Sequence, residues 1–150
     1  MDSKKENNQS VTIWQQSLNH AIHISKIKLS EPTTSYVAKT IDHQMRNTDI
    51  NTDPIGMAWI EHCQPYSRED AKEIGNKCLI ICGFFPWQAY HRNTKLSFYI
   101  SIGQAAYQEA AKQAETPFDE KLIFDELESK FIAITQTISL IKHPSLRQHK

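Results

Sequence analysis

The sequence predicts an all-α domain, a bundle of about five to six helices around one central apolar helix at about residues 67–85. Apolar residues recur at helical spacing through most of the chain. Four glycines in 150 residues are too few for a turn-rich β-sandwich, and no segment shows convincing strand alternation. We expect a disordered leader over residues 1–10, one helical domain over residues 11–143 and a polar tail over residues 144–150.

Pro32 and Pro54 mark the boundaries between the first three predicted helices. The first helix has its apolar residues at helical spacing: Val11, Trp14, Leu18, Ala21 and Ile22. Residues 24–29 lose this period and are predicted to be extended. Because Pro32 disfavours helix in the residue before it, the second helix is expected to be capped by Thr33, Thr34 or Ser35. A third helix should begin at Asp53-Pro54 and run to about Cys63.

A central apolar helix is predicted at about residues 67–85. Ser67 and Asp70 are spaced as in a capping box, which opens the helix. From Cys78 to Phe85 the sequence is apolar nearly all round, and such a helix belongs in the middle of a bundle. Pro86 cannot continue the helix, so a sharp corner with polar and aromatic side chains should follow.

Two long helices are predicted after this corner. Asn93 or Thr94 should cap the first of them, whose inward residues are Leu96, Tyr99, Ile100, Gly103, Ala106, Tyr107 and Ala110. After a break at Pro117, a final helix over Phe118–Lys142 carries an apolar stripe of Leu122, Ile123, Leu127, Phe131, Ile134, Ile138 and Ile141. Its acidic residues should mostly be solvated: Asp119, Glu120, Asp125, Glu126 and Glu128.

Composition argues against several functional classes. Seventeen basic and 17 acidic residues cancel, so neither a nucleic acid nor a membrane surface is expected as a partner. No secretory signal or membrane span is evident, and three cysteines fit a reducing compartment, so a cytoplasmic protein is expected. Cys78 and Cys82 are interpreted as small core residues, not as a redox pair or metal ligands. No cofactor and no catalytic motif is predicted.

The corner after the central helix is the candidate site. We expect binding residues there and on the following helix: Phe85, Trp87, Tyr90, His91, Arg92, Tyr99, Gly103 and Tyr107. Arg92 could hold a carboxylate or phosphate, or it could cap the carbonyls that end the central helix. The favoured hypothesis is a non-catalytic binding module or homodimer. Its contact surface would be the helix face where the small residues Gly103, Ala106 and Ala110 alternate with Tyr99 and Tyr107. The alternative is a sensor or enzyme with a pocket at Phe85–Arg92, and a host-directed secreted effector is also compatible.

Residues 70–110 resemble a group of uncharacterised proteobacterial helical proteins. The resemblance rests on a Gly75–Pro86 run like "G(D/N)xxLLLxGLFP", then Arg92-Asn93, then Ser97–Tyr99 with Gly103 and Ala106-Tyr107. It implies an all-helical fold and no assigned activity. The chain departs from the group's pattern at residues 87–91, which are less basic, and at Gln104, where arginine is usual. An anion site built from those arginines is therefore not implied here.

Overall fold

The structure, a computed structural model, describes residues 2–46, 68–87, 95–114 and 119–142. Within these ranges it has six helices and no strand, which confirms the all-α prediction. The helices are α1 (Asp2–Ser25), α2 (Glu31–Arg46), α3 (Arg68–Phe84), α4 (Leu96–Lys112), α5 (Asp119–Ser129) and α6 (Phe131–Ile138). The predicted third helix and the polar tail lie outside the described residues. No helix in the described ranges has the length and apolar character needed to cross a bilayer.

Helix α1 begins at Asp2, so the structure differs from the predicted disordered leader over residues 1–10. The reason is local: this segment contains several good helix formers and neither glycine nor proline, so it can extend the amphipathic helix that follows. Trp14, Leu18 and Ala21 are buried, as their spacing predicts. The helix ends at Ser25 because Lys26 adopts a left-handed conformation, with φ of 62°.

Helix α2 begins three to five residues earlier than predicted, at Glu31. Its cap is Ser30, whose hydroxyl oxygen accepts a hydrogen bond from the Thr33 N–H at 3.4 Å. Pro32 lies in the first turn, where a missing N–H leaves no helical hydrogen bond unmade. The proline therefore marks the beginning of this helix and does not delay it.

Helix α3 is the predicted central helix. Every residue from Cys78 to Phe84 is buried, so this segment touches neighbours on all sides. It packs most extensively against α4 and also contacts α2 and α6. The helix ends at the proline corner: the Phe85 N–H still donates to the Ile81 carbonyl at 2.9 Å, and Pro86 follows.

Helix α4 starts at Leu96, with Lys95 in an extended conformation before it. Lys95 makes no side-chain capping hydrogen bond, and the predicted caps Asn93 and Thr94 lie outside the described residues. The predicted inward face is largely buried, and it lies between α3 on one side and α5 and α6 on the other.

The predicted continuous final helix is wrong, because the structure breaks it into α5 and α6 at Lys130. Lys130 has φ of −109° and ψ of 18°. Its N–H still donates to the Glu126 carbonyl at 2.9 Å, and its carbonyl accepts from the Ile134 N–H at 2.8 Å. The core stripe then runs through Phe124, Leu127, Phe131, Ile134 and Ile138, all of which are almost fully buried. Leu122 was assigned to this stripe but is 64% exposed, because it lies five residues before Leu127 and points to another face.

Candidate functional site

The structure describes only part of the predicted corner site. Phe85 and Trp87 are half-buried and pack edge to face, with ring centroids 5.4 Å apart. Phe85 also contacts Phe84, whose ring packs against Trp14 of α1. Tyr90, His91 and Arg92 lie outside the described residues, so the pocket proposed for this corner stays a prediction. The described aromatic rings join the end of α3 to α1.

The α4 face that the sequence suggests as a contact surface is occupied by the domain's own core. Tyr99 and Tyr107 are 5% and 0% exposed. Gly103 is so closely packed that a Cβ atom there would lie 2.5 Å from Phe131 Cζ and 2.9 Å from Cys78 Cβ. The small residues of α4 therefore let α3 and α6 approach. A partner could reach this face only by opening the domain.

Tyr107 belongs to a buried polar cluster that connects three helices. The Asn76 side-chain oxygen accepts hydrogen bonds from the hydroxyls of Tyr107, at 2.8 Å, and Tyr36, at 3.1 Å. Burial raises the pKa of Tyr36 to about 12 and that of Tyr107 well above its usual range. Both phenols therefore stay protonated and act as hydrogen-bond donors. This arrangement fixes how α2, α3 and α4 pack, and it supplies no catalytic base.

The two cysteines of α3 are also unsuited to chemistry. Cys78 and Cys82 are free and buried, and burial raises the pKa of both thiols, to about 12 for Cys82. Because the thiolate is the nucleophile and the metal ligand, neither role fits them in this conformation. Among the described residues no cluster of three or more His, Cys, Asp or Glu side chains could hold a metal ion.

A surface groove lies where the beginning of α2 meets the outer face of α5. Its volume is about 440 Å³, and we call it the Leu122 groove. The described residues that line it are Ser30, Pro32, Leu122, Ile123, Asp125, Glu126 and Ser129. Four of the α5 residues are spaced three or four apart, so they form one side of that helix. The groove thus combines an apolar ridge with carboxylate and hydroxyl groups.

Glu126 connects the two walls of the groove. Its carboxylate accepts hydrogen bonds from the Ser30 N–H at 3.1 Å and from the Ser30 hydroxyl at 2.7 Å. Lys130, one turn later, donates to the same carboxylate at 3.2 Å and also to the Lys28 carbonyl. Glu126 therefore places a negative charge at the positive end of α2, which stabilises that helix.

Hydrogen bonding also sets the charge state of Glu126. The carboxyl is partly buried, which by itself raises its pKa. Hydrogen bonds from Thr33, Ser30 and Lys130 outweigh this effect and hold the pKa below its ordinary value. The carboxylate is ionised at neutral pH and is hydrogen-bonded within the domain. It therefore has a structural role and does not act as a free acid or base.

The remaining groove residues are open to solvent. Leu122 is 64% exposed, more than the other large exposed apolar side chains: Ile13, Ile24, Phe98, Ile132 and Leu140. Asp125 forms an ion pair with Lys121 at 3.2 Å, in which both side chains are about half exposed. Pairs of this kind contribute about 0–1 kcal/mol and exchange partners easily. Both Leu122 and Asp125 are therefore accessible to a binding partner.

Sequence reasoning missed this groove. It assigned Leu122 to the apolar stripe and expected most of the acidic residues of α5 to be solvated. One signal was present: the continuous stripe from Phe124 to Ile138 leaves Leu122 as an apolar residue off the stripe. The contact between Ser30 and Glu126 joins residues 96 apart in the chain and has no local signature.

Comparisons with family models, with curated proteins and with solved structures find no match for this chain. The resemblance of residues 70–110 to the proteobacterial helical group therefore stays a prediction.

Proposed function

We propose that this protein is a non-catalytic helical interaction module of the cytoplasm that binds a protein partner at the Leu122 groove. The observation that carries the proposal is an exposed leucine, 64% accessible, at the edge of a groove of about 440 Å³. The two free buried thiols of α3 are compatible with a reducing compartment.

The described groups favour binding over catalysis. General acid–base chemistry needs a group whose pKa lies near the working pH and which can reach a substrate. Glu126 has a lowered pKa and is engaged by Ser30 and Lys130, while the buried phenols and thiols have raised values. No described groove residue is a histidine, cysteine or lysine that could act as base or nucleophile.

A protein segment fits the groove better than a small molecule does. The volume alone lies within the range of small-molecule pockets. Such pockets cover most of their ligand, however, and a wall residue as exposed as Leu122 encloses little. An exposed apolar residue on one helix face, in a groove that also has carboxylate and hydroxyl groups, instead offers the anchor point that peptide segments and amphipathic helices use.

Selection from an unbiased peptide display library tests this proposal. Wild-type protein should enrich a family of peptides with a shared apolar position. Leu122→Asp should lose that family, because it puts a charge where an apolar side chain would be buried. Ile13→Asp is the matched control: Ile13 is 49% exposed, lies on α1 and does not line the groove.

Both variants should remain folded, since both positions are largely exposed, and circular dichroism and a thermal melt check this. The proposal fails if wild-type protein enriches no peptide family. It also fails if folded Leu122→Asp protein enriches the same family as the wild type.

A further inference from the structure

We infer that the partner of the Leu122 groove presents an apolar side chain next to lysine or arginine. This inference rests on the proposed function and adds the chemistry of the partner. It follows from the charge of α5, from the occupied end of α2 and from the distance between Leu122 and Asp125.

The charge around the groove is negative. Five carboxylates against one lysine leave α5 with a net charge of −4, although the whole chain is neutral. Two of the described lining residues, Asp125 and Glu126, are acidic, and none is basic. Lys121 and Lys130 pair with these two carboxylates, and the exposed pair at Asp125 is the one that a partner's cation can replace. Complementary charge on a partner would speed its association and select it over acidic competitors.

An anionic ligand is disfavoured at this place. The N-terminus of a helix ordinarily attracts phosphate or carboxylate groups. At the start of α2 that position is taken by the Glu126 carboxylate, which already accepts from the Ser30 N–H and hydroxyl. A phosphate or an acidic peptide would have to displace Glu126 and approach Asp125 as well.

The positions of Leu122 and Asp125 set the spacing of the partner's groups. They are three residues apart in α5, so their Cβ atoms are about 5–6 Å apart on one side of the helix. A partner that covers Leu122 with an apolar side chain therefore needs its cation within about one helical turn of that side chain. Because the bond between Lys121 and Asp125 is exposed, an incoming lysine or arginine can replace Lys121 at little cost.

A second copy of this chain is a poorer occupant. A two-fold contact through the groove brings one α5 against another, each with a net charge of −4. Like charges facing each other across an interface are costly, and no basic side chain lines the described part of the groove to offset them. The charge pattern therefore favours a different protein, one with a basic segment.

Three synthetic peptide pools test the inference. All share a central leucine in otherwise random sequence, and the neighbouring positions carry lysine in the first pool, glutamine in the second and glutamate in the third. We expect the lysine pool to bind wild-type protein about tenfold more tightly than the glutamate pool, with the glutamine pool between them. Raising the salt from about 0.1 M to about 1 M should remove most of this difference, because the screening length falls from about 10 Å to about 3 Å.

Charge reversal at Asp125 provides the matched variant. Asp125→Lys should invert the preference, so that the glutamate pool binds better. Glu69→Lys is the control, since Glu69 is 75% exposed at the start of α3 and does not line the groove. Equal binding of the three pools, or an unchanged preference in Asp125→Lys, overturns the inference while peptide binding itself upholds the proposed function.

Two other outcomes also decide the matter. If no pool binds and the unbiased library also enriches nothing, the proposed function fails and the inference fails with it. Sedimentation at micromolar concentration tests the second copy: a dimer that Leu122→Asp dissociates and Ile13→Asp leaves intact would replace the basic partner with a copy of this chain.

Discussion

Asn76 is the residue whose removal should reveal how much the buried polar cluster contributes to stability. Asn76→Ala deletes the oxygen that accepts from the Tyr107 and Tyr36 hydroxyls. Tyr107 is 0% exposed, so its hydroxyl would lose its acceptor away from water, at a cost of about 1–3 kcal/mol. Tyr36 is half-buried, so water can partly replace its lost acceptor. Its loss therefore adds a further cost of at most about 1 kcal/mol.

We therefore expect Asn76→Ala to lower the free energy of unfolding by about 1–4 kcal/mol. In a domain of this size that corresponds to a fall in melting temperature of roughly 2–16 °C. Urea denaturation followed by circular dichroism at 222 nm measures the change. Tyr107→Phe is the comparison, since it removes the donor and leaves Asn76 with Tyr36; its cost should be about 1 kcal/mol.

The double variant Asn76→Ala/Tyr107→Phe gives the sharper test. When the Tyr107 hydroxyl is absent, removing Asn76 no longer leaves a buried hydroxyl without an acceptor at that position. The double variant should therefore lose clearly less unfolding free energy than the sum of the two single variants. Strict additivity, or an Asn76→Ala protein within about 0.5 kcal/mol of wild type, would refute the argument that this cluster holds α2, α3 and α4 together.

Further predictions concern packing, backbone strain and pH. Gly103→Ala should destabilise the domain by about 1–2 kcal/mol in urea denaturation, because overpacking of about 2–3 kcal/mol exceeds the gain of about 1 kcal/mol in helix propensity. Lys26→Gly should raise the unfolding free energy by up to about 1 kcal/mol in the same assay, because glycine relieves the left-handed strain at φ 62°. Tyr36 and Tyr107 have pKa values raised above the unfolded value of 10.0, so their stabilisation is complete below pH 10 and falls above it, and the contribution of Tyr36 is lost as pH rises through about 12; melts from pH 8 to pH 12 should show this fall, and it should be smaller in Tyr107→Phe. Glu126 has a pKa below 4.5, so its contribution is present above that pH and is lost on acidification; Glu126→Gln should cost about 0.5–1 kcal/mol at pH 7 and flatten the acid limb of the stability curve.

The architecture could be predicted because the sequence patterns that determine it are local. The segment from Cys78 to Phe84 is apolar nearly all round, and a helix of that kind has only one place in a bundle. Pro86 sets the end of α3 by removing a donor and by restricting Phe85. Both signals lie within a few residues of the structure that they determine, so no knowledge of the rest of the fold was needed.

The groove could not be predicted in the same way. A helical stripe tells which side of α5 faces inward, but it does not say which other element covers the opposite side. The contact between Ser30 and Glu126 depends on how α2 and α5 come together, and that is a property of the whole domain. The contact surface predicted on α4 has a related explanation. Gly103 indicates that another helix approaches closely, but the sequence does not say whether that helix belongs to the same chain.

The break at Lys130 links the core to the groove. Phe124 and Phe131 lie on opposite sides of it, and both rings pack against Tyr107, with centroids 6.0 Å away in each case. Lys130 itself reaches back to Glu126 and to the Lys28 carbonyl, so it joins the end of α5 to the segment before α2. Lys130 therefore lies between the two phenylalanines of the core stripe and also helps to position the α5 side of the Leu122 groove.

The affinity of the groove can be bounded from its described groups. Fully burying a leucine is worth about 1.5–3 kcal/mol, so covering the 64% of Leu122 that remains exposed yields about 1–2 kcal/mol. A cation at Asp125 adds about 0–1 kcal/mol. These terms together reach at most about 3 kcal/mol, whereas a micromolar complex needs about 8 kcal/mol. A partner that binds at micromolar concentration must therefore fill the groove beyond Leu122, and Leu122→Asp should weaken it without any change in the fold of the domain.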